Sequence, residues 1–138
     1  MRANENILTK LERGRAEFAY NCVKQAKGEL EIKKQREYRS YSRKIPQMIL
    51  SNGLGQTLAF IYAKKEEGNA YDLIYRQLTD YLKRVSTRIN MPDNQIELIE
   101  WIISLDSYHY RHVTEELLSF LSWLKKFAEG MIELEEEE

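Results

Sequence analysis

The chain is poor in the residues that build covalent and metal frameworks. Among its 138 residues are one cysteine (Cys22), two histidines and two prolines. A single cysteine excludes an internal disulfide, and one thiol does not assemble a zinc or iron–sulfur site. Since proteins of oxidising compartments usually pair their cysteines, the sequence predicts a cytoplasmic protein.

Long apolar runs are also missing. No stretch reaches the length of about eighteen apolar residues that a membrane-spanning helix requires. The opening residues 1–18 contain no apolar run of the kind found in a signal peptide. Both observations agree with the cytoplasmic prediction, and no membrane partner is expected.

Glycine is scarce as well, and two of the six glycines lie in the stretch NGLGQTLAF. A dinucleotide-binding fingerprint requires a third glycine where this chain has Leu58, and a Walker loop requires Gly-Lys-Ser/Thr, which the sequence lacks. Asn52 and Gly53 tolerate the left-handed backbone that ends helices. The stretch therefore predicts a joint between two helices, with Gly55 admitting a neighbouring helix and Thr57 as a local backbone partner.

The apolar residues that are present recur at spacings of three and four, which is typical of amphipathic helices. Proline inside a helix costs about 3 kcal/mol, so Pro46 is expected in the first turn of a short helix, with a boundary near Ile45. Asp93 or Asn94 is expected to cap the helix that holds Ile96 to Ile103. The spacing predicts further helices over residues 4–34, 54–65, 70–88 and 107–129.

No segment alternates with period two between hairpin turns, so no sheet is expected. We predict an all-α protein, a compact helical bundle of about four long helices plus one or two short ones. The length suits one domain. The expected organisation is a single helical domain over residues 1–132 and an acidic tail over 133–138.

The net charge of −1 conceals an uneven distribution. Residues 129–138 hold six glutamates and no base, so the other 128 residues carry 21 bases and 16 acids. The body of the protein is therefore basic. Such a pattern indicates either an ordinary solvated surface with a frayed end or a surface that binds anions.

Candidates for catalysis are few. His109 and His112 lie three residues apart on the last predicted helix, and Glu116 follows four residues later, so one helical face presents all three. The spacing matches neither H-E-x-x-H nor the carboxylate motifs of di-iron bundles. Cys22 falls on an apolar stripe, where a thiol usually packs in the core. We expect no enzyme, metal or cofactor, and a metal-dependent nuclease at these three residues is kept as an alternative that requires bound metal.

The segment KKQREYRSYSRK, residues 33–44, interleaves cations with Tyr38 and Tyr41. Cations that hold phosphates beside rings that stack on bases are typical of proteins that bind single-stranded nucleic acid. A solvated helix with buried tyrosines explains the same pattern.

Two blocks of the sequence carry a family resemblance. YRSYSRKIPQMILSNGLGQTLAFIYAK (38–64) is followed by YHYRHVTEELLSFLSWLKKFAEGM (108–131), and both follow an opening helix with ERGRAEFAYNCV. In order, spacing and helical setting the chain resembles the small subunit of type III-B CRISPR effector complexes, the Cmr family. The stretch 66–105 and the final ELEEEE show no distinctive match.

The resemblance implies a non-catalytic helical protein. Copies of such a subunit stack into a short filament beside the subunits that carry crRNA, and they line the groove for the target RNA. The resemblance further implies that guide–target pairing reads the sequence, while this subunit contacts backbone and shape. The implied partners are other Cmr subunits, copies of itself and target RNA paired to crRNA, with no small-molecule substrate.

Basic residues in or beside the two matching blocks are the implied RNA contacts. They are Arg15, Arg39, Arg43, Lys44, Lys64, Arg111, Lys125 and Lys126. The large apolar residues Leu58, Phe60, Phe120, Trp123 and Phe127 are expected in the core rather than as platforms for bases. A stand-alone helical adaptor that binds only protein is the competing hypothesis.

Overall fold

The structure is a computed structural model that describes residues 7–86 and 89–134, and these residues form six α-helices without a strand. The helices are α1 (Ile7–Glu29), α2 (Ile32–Asn52), α3 (Leu54–Lys64), α4 (Ala70–Arg84), α5 (Leu98–Ile103) and α6 (Ser107–Met131). Four are long and two, α3 and α5, are short. The predicted all-α bundle is confirmed. Residues 135–138, most of the predicted acidic tail, lie outside the described residues, as do residues 1–6 and 87–88.

Helix α6 is the centre of the bundle and spans about 38 Å. It packs against α1 on one side and α2 on the other. Its buried residues recur at helical spacing because each must meet one of these neighbours. They are Val113, Glu116, Leu117, Phe120, Leu121, Leu124 and Ala128.

Ring contacts and hydrogen bonds give the directions of the helices around α6. The rings of Phe18 and Phe120 lie 5.8 Å apart and those of Tyr20 and Phe127 lie 5.5 Å apart, so α1 runs parallel to α6. Helix α2 is antiparallel to α6, because Arg39 contacts the last turn of α6 while the start of α3, which follows α2, contacts its first turn.

Helix α2 continues through Pro46, so the boundary expected near Ile45 and the separate short helix are wrong. The proline removes one intrahelical hydrogen bond, to the carbonyl of Ser42. Tyr38, Ser42, Ile45 and Ile49 form one buried stripe on both sides of the proline. A break at Pro46 would turn half of this stripe away from the core, so tertiary packing outweighs the local cost.

The predicted joint is confirmed at Gly53, which ends α2 and precedes α3 directly. Its φ of +91° and ψ of 160° belong to a backbone region that glycine alone adopts readily. The Gly53 N–H donates to the carbonyl of Ile49, and the Thr57 hydroxyl donates to the Gly53 carbonyl at 2.9 Å. Gly53 is therefore the single residue that joins the two helices.

The predicted close approach at Gly55 is also confirmed. Its N–H, one of the first in α3, donates to the hydroxyl of Tyr110 on α6 at 2.8 Å. A Cβ atom at this position would lie 3.3 Å from the same oxygen. The missing side chain thus lets α6 satisfy a backbone donor that has no partner within α3.

The helix starts predicted at residues 70 and 107 are confirmed, whereas the cap expected at Asp93 or Asn94 is wrong. Asn69 caps α4 and Asp106 caps α6, each accepting a backbone N–H three residues later. Helix α5 begins at Leu98, after Glu97, without a side-chain cap. Asn94 instead accepts from the N–H of Ile96 within the preceding loop. The buried residues of α5, rather than a cap, decide where it starts.

The lone cysteine lies in the core. Cys22 is buried on α1, and burial raises the pKa of its thiol to about 12. This position agrees with the packing role that the sequence predicted. Within the described ranges no helix combines the length and the hydropathy needed to cross a membrane.

Candidate nucleic-acid interface

The α1 side of α6 contains a buried ion pair. Nε and Nη2 of Arg15 donate to the two carboxylate oxygens of Glu116, each at 3.1 Å, and the Tyr81 hydroxyl donates to the same carboxylate. The side chains of Arg15 and Glu116 are only 12% and 4% exposed. The carboxylate raises the pKa of Arg15 further above its usual range. Arg15 therefore serves to hold α1, α4 and α6 together, and its predicted RNA contact stays a prediction.

The histidines lie apart from this pair. His109 contacts the carboxylate of Asp106, the cap of α6, at 2.9 Å, and His112 packs edge-on against the ring of Tyr108. Across residues 7–86 and 89–134, no three His, Cys, Asp or Glu side chains are arranged to hold a metal ion. His109, His112 and Glu116 thus do not converge on one site.

The α2 side of α6 is cationic. Arg39 donates through Nη2 to the backbone carbonyl of Glu129 at 3.4 Å, and Nε of Arg43 lies 3.8 Å from the Glu129 carboxylate. The Arg43 side chain is 66% exposed. Both arginines thus lie beside the C-terminal end of α6, where the helix dipole favours positive charge.

Two further predicted cations lie on the same edge of α6. Lys125 precedes Glu129 by one turn, and Arg111 precedes it by five full turns of 3.6 residues. From Arg111 to Lys125 the edge extends for about 21 Å. We call the surface formed by Arg39, Arg43, Arg111 and Lys125 the α2–α6 seam.

The seam has an open pocket at one end and buried donors at the other. Arg111 lines a pocket of about 500 Å³ at the start of α6, together with Leu105 and Tyr110. At the other end the buried Nε atoms of Arg36 and Arg39 have no hydrogen-bond partner among the described residues. A buried donor without an acceptor costs free energy. Arg36 belongs to the basic segment but was not among the predicted contacts.

The opposite edge of α2 carries an aromatic group that we call the ring cluster: Tyr41, Phe60 and Tyr71 with Lys44 and Lys64. The rings of Tyr41 and Tyr71 stack with centres 3.9 Å apart, and Phe60 meets Tyr71 edge-on at 5.9 Å. The Lys44 ammonium lies 5.7 Å from the centre of the Tyr41 ring, and Lys64 lies equally far from that of Phe60. The cluster connects α2, α3 and α4.

The sequence did not reveal the part of Tyr71 in this cluster. Tyr71 lies on α4, in the stretch 66–105 that offers no distinctive family match. The sequence around Tyr71 indicates only an amphipathic helix. Its stacking partner, Tyr41, lies thirty positions earlier in the chain. A contact between such distant residues has no local signal.

The remaining predicted residues take other positions. Lys126 lies on the outer side of α6, with Nζ 3.4 Å from the Ser122 hydroxyl. The prediction of core positions is confirmed for Leu58 and Phe120, which are fully buried. Phe60, Trp123 and Phe127 are partly buried against the core. The structure therefore places four of the eight predicted contacts along the seam, with Arg111 at one end and Arg39, Arg43 and Lys125 at the other. Two more, Lys44 and Lys64, lie in the ring cluster.

Comparisons with known proteins bear on the family of the chain. The family model described as "CRISPR-associated protein (Cas_Cmr5)" matches residues 11–131. A relative from Thermus thermophilus, described as "CRISPR system Cmr subunit Cmr5", is 31% identical over 119 residues, covering 86% of this chain and 92% of the relative.

Comparison of the fold with solved structures supports the same family. The crystal structure of a CRISPR-associated Cmr5 family protein, also from Thermus thermophilus, is similar with a TM-score of 0.70 and 29% identity. The similarity covers 88% of this chain and 97% of that one. The resemblance drawn from the sequence is confirmed, and the chain belongs to the Cmr5 family of CRISPR-associated proteins, a small subunit of the type III-B Cmr system.

Proposed function

We propose that the chain is a non-catalytic subunit that stacks with copies of itself into a filament within a cytoplasmic Cmr complex. The α2–α6 seam then faces the groove that receives the crRNA-paired target RNA. The observation that carries this proposal is that cations from two antiparallel helices lie along one open edge. Arg39 and Arg43 come from α2, and Arg111 and Lys125 come from α6.

The dimensions of the seam suit a nucleic-acid backbone. Its length of about 21 Å spans several consecutive phosphates. Cations that neutralise phosphates release condensed counterions, which gives affinity with little base preference and a steep dependence on salt. Such a surface needs no base contacts, since guide–target pairing supplies the specificity.

The environments of the potentially reactive side chains support a non-catalytic role. Glu116 is held by Arg15 and Tyr81, and its carboxylate is thus already paired inside the fold. The Cys22 thiol is buried, and the rise of its pKa to about 12 keeps it protonated at neutral pH. A thiol in that state is a poor nucleophile.

The two ends of the bundle support head-to-tail stacking. Leu50 and Ile103, 75% and 70% exposed, lie toward the end where α6 begins. Ile32 and Leu134, 60% and 63% exposed, lie at the end where α6 finishes. Stacking that continues from copy to copy requires two different faces of one molecule, and these ends provide different apolar surfaces.

The test is reconstitution of the Cmr complex with the wild-type chain, without it, and with a seam variant. The variant combines Arg43→Gln, Arg111→Gln and Lys125→Gln. We expect guide loading to persist while target-RNA affinity falls. The slope of log affinity against log salt should decrease by about 2, since each phosphate contact on a single strand contributes about 0.7.

A matched control carries three substitutions of exposed cations away from the seam: Lys10→Gln, Lys24→Gln and Arg84→Gln. It changes the net charge equally and should leave the salt slope close to wild type. If the seam variant and the control bind target RNA alike, the seam does not face RNA. A complex that keeps full target affinity without the subunit would favour the protein-only adaptor.

A further inference from the structure

The ring cluster lies at the margin of the core, with part of each ring at the surface. Tyr41, Phe60 and Tyr71 pack against the core from three different helices, and each remains partly exposed. Tyr71 covers one face of the Tyr41 ring by stacking at an angle of 11°. Besides Tyr71, the Tyr41 ring contacts the ammonium of Lys44, which lies over the ring at the end of a flexible and exposed side chain.

The two lysines of the cluster contribute little to the fold. Among the ion pairs of the described residues, none joins a carboxylate to Lys44 or Lys64, although the carboxylate of Glu37 acts electrostatically on Tyr41 and Tyr71. A cation above an exposed ring is held weakly. Two positive charges near one aromatic surface are therefore available for an anionic partner.

The tyrosine hydroxyls stay neutral at physiological pH. Burial, with a contribution from the neighbouring Tyr41, raises the pKa of Tyr71 to about 12. Burial likewise raises the pKa of Tyr41. The rings thus add no negative charge to a surface that meets phosphates, and their two hydroxyls hydrogen-bond to each other.

We propose that the ring cluster binds one nucleobase of a single-stranded RNA segment by stacking on the Tyr41 ring. Lys44 leaves the ring and pairs with an adjacent phosphate, and Lys64 pairs with a second phosphate. This exchange is favourable because a base stacks on an aromatic ring more strongly than an exposed ammonium does. The proposal rests on the proposed RNA-facing function and adds a contact to a base.

The cluster and the seam occupy opposite edges of α2. Arg39 and Arg43 lie on the edge toward α6, whereas Tyr41 and Lys44 lie on the edge toward α3 and α4. The width of a helix is about 10 Å, so a strand that follows the seam reaches the cluster by crossing α2. The two surfaces are separable by substitution.

The test measures binding of a short single-stranded RNA that contains 2-aminopurine, whose fluorescence is quenched when the base stacks. It uses the full chain at low salt and the assembled Cmr complex. Tyr41→Leu should weaken binding about tenfold and remove the quenching, as expected for the loss of one stacked base. Tyr41→Phe keeps the ring and should keep the quenching, which separates stacking from a defect in folding.

Tyr20 provides a matched control. It is 44% exposed on α1, and the ammonium of Lys24 lies 5.8 Å from its ring centre, so it repeats the tyrosine–lysine arrangement elsewhere. Tyr20→Leu should leave both affinity and quenching unchanged. Lys44→Gln combined with Lys64→Gln should weaken binding and lower its salt slope, since two phosphate contacts are lost.

Three outcomes would overturn the proposal. Quenching that persists in Tyr41→Leu, or that is absent from the wild type in both settings, shows that no base stacks on this ring. Unchanged RNA binding with failed assembly of the Cmr complex makes the cluster a protein contact. In each case the seam variant still tests the proposed function independently, because it alters neither the rings nor their lysines.

Discussion

The two sides of α6 use arginine in opposite ways. Toward α1, the guanidinium of Arg15 is enclosed with the carboxylate of Glu116 and the hydroxyl of Tyr81. Toward α2, Arg43 remains largely exposed, with one carboxylate oxygen of Glu129 at 3.8 Å. The first arrangement is closed and pairs distant parts of the chain, while the second leaves charge at the surface.

The difference separates stability from recognition. Removing one partner from a buried ion pair leaves the other charge uncompensated in a medium of low polarity. An exposed pair contributes little to stability because water and salt screen it. We call the side of α6 with Arg15, Glu116 and Tyr81 the closed side, and the side with Arg43 and Glu129 the open side. We expect the closed side to determine whether the protein folds and the open side to determine what it binds.

The largest effect is expected for Glu116→Ala. Loss of the carboxylate leaves the buried Arg15 charge unpaired and should lower the free energy of unfolding by about 3 kcal/mol. Urea denaturation measures the change. Glu115→Ala, at the exposed neighbouring position, is the control and should stay near wild type. An equal effect of the two substitutions would show that the pair is not what stabilises the closed side.

Gly53→Ala should have the next largest effect. Gly53 holds the joint at the Arg111 end of the open side, and its φ of +91° forces strain on any residue with a Cβ atom. We expect a loss of about 2 kcal/mol in the free energy of unfolding. Gly28→Ala is the control, since the position is helical and no atom beyond the neighbouring backbone of its own helix lies within 4 Å of the added Cβ. That substitution should stabilise the protein slightly.

Alkaline pH should lower the stability of the whole fold. Burial raises the pKa of Cys22 from 9.0 to about 12, and the pKa of the buried Tyr38 and Tyr81 is raised above 10.0. Above about pH 9 the unfolded chain releases these protons while the folded chain keeps them, so stability falls as pH rises. Denaturation curves across this range measure the decline. In Cys22→Ala the decline in stability should begin about one pH unit higher, because only the tyrosines then remain to ionise. An unchanged onset would show that ionisation of Cys22 does not cause the decline.

The smallest effect on stability is expected on the open side. Arg43→Gln removes an exposed ion pair and should change the free energy of unfolding by less than about 0.5 kcal/mol. Thermal denaturation of Arg43→Gln and Glu116→Ala under the same conditions compares the two losses of stability directly. A large loss of stability in Arg43→Gln would remove the distinction between the two sides of α6.

The sequence predicted those parts of the fold that depend on neighbouring residues. Asn69 and Asp106 start helices because their side chains reach backbone donors only three residues away. Gly53 marks a joint because its backbone conformation is a property of the residue itself. Such signals operate within a few positions, so they are visible without knowledge of the packing.

Long-range packing explains what the sequence did not predict. The cost of Pro46 is local, but the buried stripe of α2 that outweighs it is defined by α4 and α6. Arg15 resembled a surface cation because its partner Glu116 lies 101 positions later. For the same reason the charges of the seam were predicted individually, whereas their alignment along one edge required the structure.

The single thiol, Cys22, has a practical consequence. It is buried with a raised pKa, so in the folded protein it should be nearly inert to alkylating reagents at neutral pH. A cysteine introduced at an exposed position would then be the one that takes a fluorophore or a photocrosslinker. The protein is thereby suited to site-specific labelling without first removing its native thiol, and labelling of Cys22 itself would report loss of the folded state.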